Sequence, residues 1–362
     1  MQSDKFIVAP VGDGLIIARQ HGQRLYALNE TARLLWTWRT AGMTEARMAE
    51  ELAATFDIDP AIAARDVGAT LRQWRDESLI GARHRAISCV VGGCRVLIQL
   101  GPSDVRDAVI PLLSNFIADE NEGPDRRTAS IEVTEREGKY LVSTGSETST
   151  LAPTVDAVLE AVLISLPQHV FNATDWQFSM HSAAVGRGGG CILIAGESGR
   201  GKSTLLAHML AEGFDYVADD LVLIVPPDLA VLPIPMPLIL KRGSWDPLAA
   251  VLPGLEAARV FRRGGRDVKY WNPGRGQIAR EPRPIRGIIF PRYVKDAPFK
   301  ATQLSAFHAI ERITKAPMRI GIPLAHQAVE RLVALIERCP VYELSYGDAR
   351  ATTKWAGELL AC

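Results

Sequence analysis

Residues 192–204 read Ile-Leu-Ile-Ala-Gly-Glu-Ser-Gly-Arg-Gly-Lys-Ser-Thr. Gly196, Gly201, Lys202 and Ser203 meet the pattern G-x-x-x-x-G-K-[ST], the spacing of a phosphate-binding loop. An apolar run, Cys191 to Ala195, enters the loop, and a helical pattern, Ser203 to Glu212, leaves it. This order of strand, glycine-rich turn and helix predicts an α/β fold. Backbone N–H groups of such a turn converge on anionic oxygens at the helix N-terminus. The residues expected around a nucleotide are therefore Gly196, Glu197, Ser198, Gly199, Arg200, Gly201, Lys202, Ser203 and Thr204. Lys202 is placed to reach the β/γ-phosphates and the Ser203 hydroxyl to hold Mg2+, so ATP and Mg2+ are the expected cofactors.

The remaining sequence narrows the class. At 362 residues the chain exceeds one small core and predicts two or three domains. Lys+Arg and Asp+Glu are both 41, so no global field favours nucleic acid or an anionic membrane. No apolar run has the length of a membrane span, and Met1 to Lys5 does not lead a signal-peptide pattern. Cys89, Cys94, Cys191, Cys339 and Cys362 form no C-x-x-C pair, which fits idle thiols in a reducing, cytoplasmic setting.

Residues 5–80 read as a self-contained unit. Phe6–Ala9, Leu15–Arg19 and Arg24–Leu28 are strand patterns split by Gly12-Asp13-Gly14 and His21-Gly22. Three helices follow: one capped by Asn29 with Ala32, Leu35, Trp36 and Trp38 apolar, one capped by Thr44, and one starting at Asp59-Pro60 with Val67, Leu71 and Trp74 on one face. A small sheet plus three helices is winged-helix-like. Leu28-Asn29-Glu30-Thr31-Ala32 running into Leu35-Trp36, and Trp74 followed by Leu79-Ile80, make the segment resemble the PqqD-like family of peptide-recognition elements. The resemblance implies that a leader peptide adds as a strand to the sheet edge, between Arg24–Leu28 and Asp66–Glu77, with main-chain hydrogen bonds giving affinity. Residues 1–80 carry 9 Lys/Arg and 11 Asp/Glu, net −2, the wrong sign for a DNA-reading module.

The expected domain boundary lies between residues 82 and 83. Beyond it, Ile87–Val91 and Arg95–Leu100 predict a hairpin around Gly92-Gly93. Helices are expected over Ser103–Ile117, Val155–Leu166 and Arg331–Arg338, strands over Ile131–Thr134, Lys139–Ser143 and Val341–Ser345, and a polar loop over Asp119–Arg127. Lys241–Arg286 holds 11 Lys/Arg against 4 Asp/Glu, net +7. A mobile basic lid that clamps phosphate or an acidic peptide fits that composition. So does a solvated loop, and nothing selects one arginine.

Asp219-Asp220 follows Asp215-Tyr216-Val217-Ala218, and His181 precedes the strand pattern Ala183–Val185. Phosphoryl transfer needs a metal to neutralise phosphate charge and a group to orient and deprotonate the acceptor hydroxyl. Neighbouring residues of a strand face opposite ways, so one Asp can face each task, particularly where the strand ends or bends. His181, Gly196-Glu197-Ser198-Gly199-Arg200-Gly201-Lys202-Ser203 and Gly213-Phe214-Asp215-Tyr216-Val217-Ala218-Asp219-Asp220 resemble the HPr kinase/phosphorylase superfamily in order and spacing. That implies a P-loop kinase domain of the HPr kinase/PEP carboxykinase-like type, with a mixed sheet, over residues 83–362. It also implies Asp219 as the base, Asp220 with Ser203 on Mg2+, Lys202 on phosphate and His181 beside the acceptor, with the two Asp roles exchangeable. Two departures matter: Thr204-Leu205-Leu206 stands where an acidic residue is usual, and the downstream signature survives only as Pro284-Ile285-Arg286-Gly287-Ile288-Ile289. A reverse, dephosphorylating activity and HPr as substrate are therefore not expected.

The leading expectation is an ATP-dependent kinase that phosphorylates a hydroxyl, serine foremost, of a precursor peptide or protein captured by the N-terminal domain. No nucleic-acid or membrane partner is expected, and self-association is left open. Two alternatives stand beside it: a nucleotide-gated peptide-binding adaptor ATPase without transfer to the peptide, and a small-molecule kinase.

Overall fold

The computed structural model describes residues 6–19, 25–41, 43–76, 79, 86–118, 128–136, 138–144, 148–197, 200–321 and 326–361. The chain divides into two compact units, Met1–Arg85 with Thr134–Glu137, and Ala86–Val133 with Gly138–Cys362.

The first unit is a three-stranded antiparallel sheet, β1 (Phe6–Val11), β2 (Gly14–Arg19) and β3 (Leu25–Leu28), in that order. Helices α1 (Glu30–Thr40), α2 (Glu45–Phe56) and α3 (Pro60–Asp76) follow. Each helix starts on a side-chain cap. Asn29 accepts from the Ala32 N–H at 2.9 Å, Thr44 from Arg47 at 3.3 Å, and Asp59 from Ala61 at 2.7 Å; these bonds satisfy donors that the first turn leaves orphaned. Leu35, Trp36, Met48, Leu52, Val67, Leu71 and Trp74 close one core against Ile17 and Leu28. The helices therefore form where the caps and apolar spacing predict them. Arg24 and Glu77, at the ends of the expected peptide groove, and Ile80 of the closing motif lie outside the described residues.

The second unit opens with a five-stranded sheet in sequence order: β4 (Ile87–Val91), β5 (Cys94–Leu100), β6 (Thr128–Arg136), β7 (Lys139–Thr144) and β8 (Thr148–Ala152). Helix α4 (Ser103–Leu113) crosses between the parallel β5 and β6, and α5 (Val155–Ala173) follows β8. The β4–β5 turn is Gly92-Gly93 with φ of 54° and 73°, the doubly left-handed turn that matches strand twist. Two expected helices of this first part change length. Helix α4 stops at Leu113 rather than Ile117, because Asn272 and Arg275 side chains take the carbonyls of Leu112, Ser114 and Ile117. Helix α5 runs seven residues past Leu166 to Ala173, through Pro167. Leu163, Leu166 and Val170 are all buried, so continuous packing overrides the missing proline N–H. The loop expected over 119–127 lies outside the described residues.

The larger sheet is mixed. Its strands are β9 (Phe178–Met180), β10 (Ala183–Arg187), β11 (Gly190–Ile194), β12 (Asp215–Ala218), β13 (Val222–Val225), β14 (Ala230–Leu232), β18 (Arg283–Tyr293), β19 (Lys300–Gln303), β20 (Met318–Ile320) and β21 (Val341–Tyr346). The order is β12-β10-β11-β18-β14-β13-β9-β20, with β21 parallel to the outer half of β18 and β19 antiparallel to β21. Strand β11 lies antiparallel to β10 and parallel to β18. Its Ile192 and Ile194 enter one core with Leu205, Leu206 and Met209 of helix α6 (Lys202–Ala211) and Leu360 of helix α10 (Ala349–Ala361). Cys191, Leu193 and Ala195 enter the opposite core with Ile313 of helix α8 (Ala306–Thr314) and Leu332 and Ile336 of helix α9 (His326–Arg338). Burial on both faces explains why the strand reads as an unbroken apolar run.

The basic segment 241–286 forms regular structure between these sheets' strands. β15 (Leu238–Lys241), β16 (Val260–Arg263) and β17 (Arg266–Trp271) make a small antiparallel sheet, with helix α7 (Trp245–Ala249) between β15 and β16. Much of its charge is spent internally. Arg242 and Arg262 face Asp267, Arg259 faces Asp156, Arg263 faces Glu160, and Arg283 faces Asp215. Lys269, buried, donates to the carbonyls of Leu255 and Glu256 at 2.8 and 2.7 Å. The net charge of the segment is thus in large part scaffold.

Trp36 is 7% exposed and stands edge-on to Phe6 and Trp74, centroids 5.5 and 5.7 Å away. Trp36→Ala is expected to cost the N-terminal unit about 3–5 kcal/mol, seen as an earlier melting transition in calorimetry with the transition of the larger unit unmoved.

Candidate functional site

The loop starts where β11 ends. The Ala195 N–H donates to Ile289 at 2.9 Å, holding the residue after the strand to β18. Gly196 then turns with φ 130° and Gly201 with φ 88°, conformations in which a Cβ is strained. Gly201 is the N-cap of α6 and offers no side chain to its first N–H groups, so these donors point out of the helix start with the positive end of its dipole. Lys202 is buried, and its Nζ donates to the carbonyls of Gly196 at 2.8 Å and Glu197 at 3.1 Å. Burial lowers its pKa, against the opposing pull of Asp219 and Asp220. Glu197 and Arg200, both exposed, pair at 3.0 Å across the loop tip. Ser198 and Gly199 lie outside the described residues.

Strand β12 ends at Ala218, so Asp219 and Asp220 sit beyond it and strand alternation does not separate them. A bend does. Asp219 is 8% exposed, accepts from the Ser203 hydroxyl at 3.1 Å, and takes the Asp220 N–H at 3.0 Å. Asp220 has φ 65° and is exposed. This left-handed position is one that Asp tolerates better than most residues. His181 Nδ1 lies 3.0 Å from the Asp220 carbonyl, and the His181 N–H donates to Pro317 at 2.9 Å. The residues brought together are therefore Lys202, Ser203, Asp219, Asp220 and His181, from three separate stretches of chain.

Two neighbouring carboxylates thus meet different surroundings. Burial, then the charge of Asp220, pushes the Asp219 carboxyl up to about 7, against the opposing Ser203 and backbone hydrogen bonds and Lys202. A buried carboxyl raised in this way beside a loop lysine is a mark of acid–base or metal chemistry. Among the described residues no group of three or more His, Cys, Asp or Glu forms a metal cage. One serine hydroxyl and a carboxylate suit instead a hard cation that completes its shell with phosphate oxygens and water. The Ser203–Asp219 pair has that donor set, and the uncapped α6 terminus beside Lys202 fits a polyphosphate.

Two cavities flank the site. One, about 820 Å3, runs from Arg200, Gly201 and Thr204 to Tyr293, Tyr346 and Arg350. The other, about 330 Å3, holds His181 and Asp220 with Phe171, Pro317 and Arg319. Tyr293 and Tyr346 face each other across the parallel β18–β21 pair, rings 5.8 Å apart. These wall residues carry no signal in sequence spacing, because sheet pairing alone assembles them. Of the basic segment, Lys241 is the cation whose charge bears on Lys202.

Residues 14–80 match the family model described as coenzyme PQQ synthesis protein D (PqqD). Among solved structures, "TbiB1 in Complex with the TbiA(beta) Leader Peptide" is similar at 18% identity over 22% of this chain and 93% of that chain, with a TM-score of 0.21. The Hpr(Ser) kinase/phosphatase from Coxiella burnetii is similar at 12% identity over 51% of this chain and 93% of that chain, with a TM-score of 0.24. No curated protein matches the chain. No described helix is long and apolar enough to cross a membrane.

The raised Asp219 pKa sets a pH-dependent cost. In metal-free, nucleotide-free protein, the folded state holds one proton more than the unfolded chain between the ordinary carboxyl value of 3.8 and about 7. Stability therefore falls as pH rises through that window and the penalty is complete above it. Asp219→Asn removes the penalty. Its melting temperature is expected to exceed that of the wild type at pH 8, with the gap closing below about pH 4; a gap that does not change with pH would contradict the burial argument.

Proposed function

We propose that the chain is an ATP- and Mg2+-dependent kinase that transfers a phosphoryl group to a side-chain hydroxyl, serine foremost, of a ribosomally made precursor peptide held by its N-terminal domain. The carrying observation is the split acid pair beside the phosphate loop: Asp219 buried on the Ser203 hydroxyl, Asp220 turned out beside His181. ATP supplies the phosphoryl group, and Mg2+ offsets the charge on it. Lys202 and the N–H groups opening α6 bind the phosphates. The 3.1 Å Ser203–Asp219 hydrogen bond supports the exchanged assignment of the two acids, with Ser203 and Asp219 on the metal side. Asp220, exposed in the smaller cavity, then accepts the proton of the acceptor hydroxyl. His181, against the Asp220 carbonyl, holds that bend in place.

The PqqD match over 14–80 supports the peptide as the acceptor's carrier, and β3 is an edge of its sheet, where a leader strand can add. We assign capture to residues 1–82 and chemistry to an HPr kinase-like domain over 83–362. Joining the two in one chain raises the local concentration of the acceptor, so the catalytic cavity needs little affinity of its own.

Asp220→Asn is expected to lower phosphopeptide formation by about 10²–10⁴-fold while ATP binding, measured by calorimetry, is kept. Phosphopeptide formed at the wild-type rate would remove Asp220 from the role of base. Mass spectrometry of the peptides encoded beside the gene, after incubation with protein, ATP and Mg2+, separates the activities. ADP and free phosphate without phosphopeptide indicate an adaptor ATPase. Lys202→Ala is expected to weaken nucleotide binding itself, since it deletes the buried ammonium at the loop.

A further inference from the structure

Strand β20 ends the large sheet and, among the described residues, pairs only with β9: Met318 with Met180, Arg319 with Ser179 and Ile320 with Phe178. The ladder is bracketed by His181 N–H to Pro317 at 2.9 Å and Gly321 N–H to Gln177 at 3.1 Å. Hydrogen-bonded and non-hydrogen-bonded pairs alternate along an antiparallel ladder. With 317/181 and 321/177 as bonded pairs, Arg319 turns its N–H and C=O towards β9. Met318 and Ile320 turn theirs to the outer edge, a ready template for another strand.

That edge borders the acceptor cavity. Pro317, Met318 and Arg319 line it on one side, His181 and Asp220 on another, and Phe171 of α5 walls it. His181 is bonded through its N–H to the first of these residues and through its ring to the bend that carries Asp220. A strand laid along Met318–Ile320 therefore runs along the rim of the cavity into which Asp220 opens. Arg319 is the one arginine or lysine among the cavity's described lining residues. It is exposed, with its guanidinium 5.9 Å from the Phe171 ring centroid. A guanidinium over an aromatic ring keeps its fork of N–H groups for a planar anion, here a carboxylate placed so that Asp220 does not repel it.

We propose that the acceptor segment of the peptide binds as an added strand on β20, and that Arg319 selects an acidic side chain beside the hydroxyl that is phosphorylated. The proposal rests on the kinase reading above. Strand addition holds the main chain with little regard to sequence, so selectivity falls to the few side chains that meet pockets.

The test uses the full chain with ATP, Mg2+ and an arrayed library of short peptides, each with one central serine and acidic, neutral or basic flanks, at millimolar peptide. Acidic flanks are expected to raise kcat/KM by about tenfold or more over basic ones, the scale of one charge-assisted hydrogen bond. Arg319→Glu is expected to reverse the ranking in favour of Lys and Arg flanks; the reversal itself shows that the variant is folded. N-methylation of the amides flanking serine is expected to lower turnover by about tenfold through lost ladder bonds. An unchanged ranking in Arg319→Glu, or N-methylated peptides phosphorylated as fast as their parents, overturns the proposal and leaves the kinase standing. Free phosphate and ADP with no phosphopeptide from any member removes the kinase reading and this proposal with it.

Discussion

The site depends on one strand that is buried on both faces. β11 sends Ile192 and Ile194 into the core shared with α6 and α10, and Cys191 and Leu193 into the core shared with α8 and α9. It is also hydrogen-bonded on both edges, to β10 and β18. A strand held on four sides has no room to move, so the residue after it is delivered to a fixed point. Gly196 begins the phosphate loop there, and α6 packs back onto the same core through Leu205, Leu206 and Met209. The rigid strand and the packed helix together fix the loop backbone, with the uncapped N–H groups that open α6 pointing out of the helix start.

The second constraint is electrostatic. Lys202 and Asp219 are both buried, and a buried charge is costly unless hydrogen-bonded. Each is satisfied locally: Lys202 by two carbonyls of its own loop, Asp219 by the Ser203 hydroxyl and the next backbone N–H. The left-handed turn at Asp220 then moves the second carboxylate out of this buried pair. Without that turn the two acids would share one environment. With it, one faces the loop and the other the cavity beside His181.

Local signals were read correctly where local physics decides the outcome. The caps at Asn29 and Thr44 start helices, and Gly92-Gly93 makes the β4–β5 turn, because each is satisfied by a few neighbouring residues. The ends of α4 and α5 are decided at a distance and depart from their local signals. Side chains more than 150 residues downstream cap the first, and core packing carries the second through Pro167. The basic segment is a further case. Its composition fits a mobile lid or a solvated loop, yet Asp156, Glu160, Asp215 and Asp267 pair with many of its arginines. The pairings to Asp156 and Glu160 of α5 and to Asp215 of β12 form only when those distant elements meet the segment.

The sequence alone determined the glycine-rich turn between β11 and α6, because that motif is contiguous and its geometry follows from short-range backbone rules; it offered His181 and Asp219-Asp220 as candidates, which only the fold brings beside the turn. It did not determine how the acids divide their surroundings. Nor did it place Tyr293 and Tyr346 beside the loop, or Arg319 beside His181 and Asp220. Those positions follow from sheet order and register: β18 beside β21, and β20 beside β9. Strand pairing is a contact between residues far apart in the chain, so the cavity walls exist only once the whole sheet has closed.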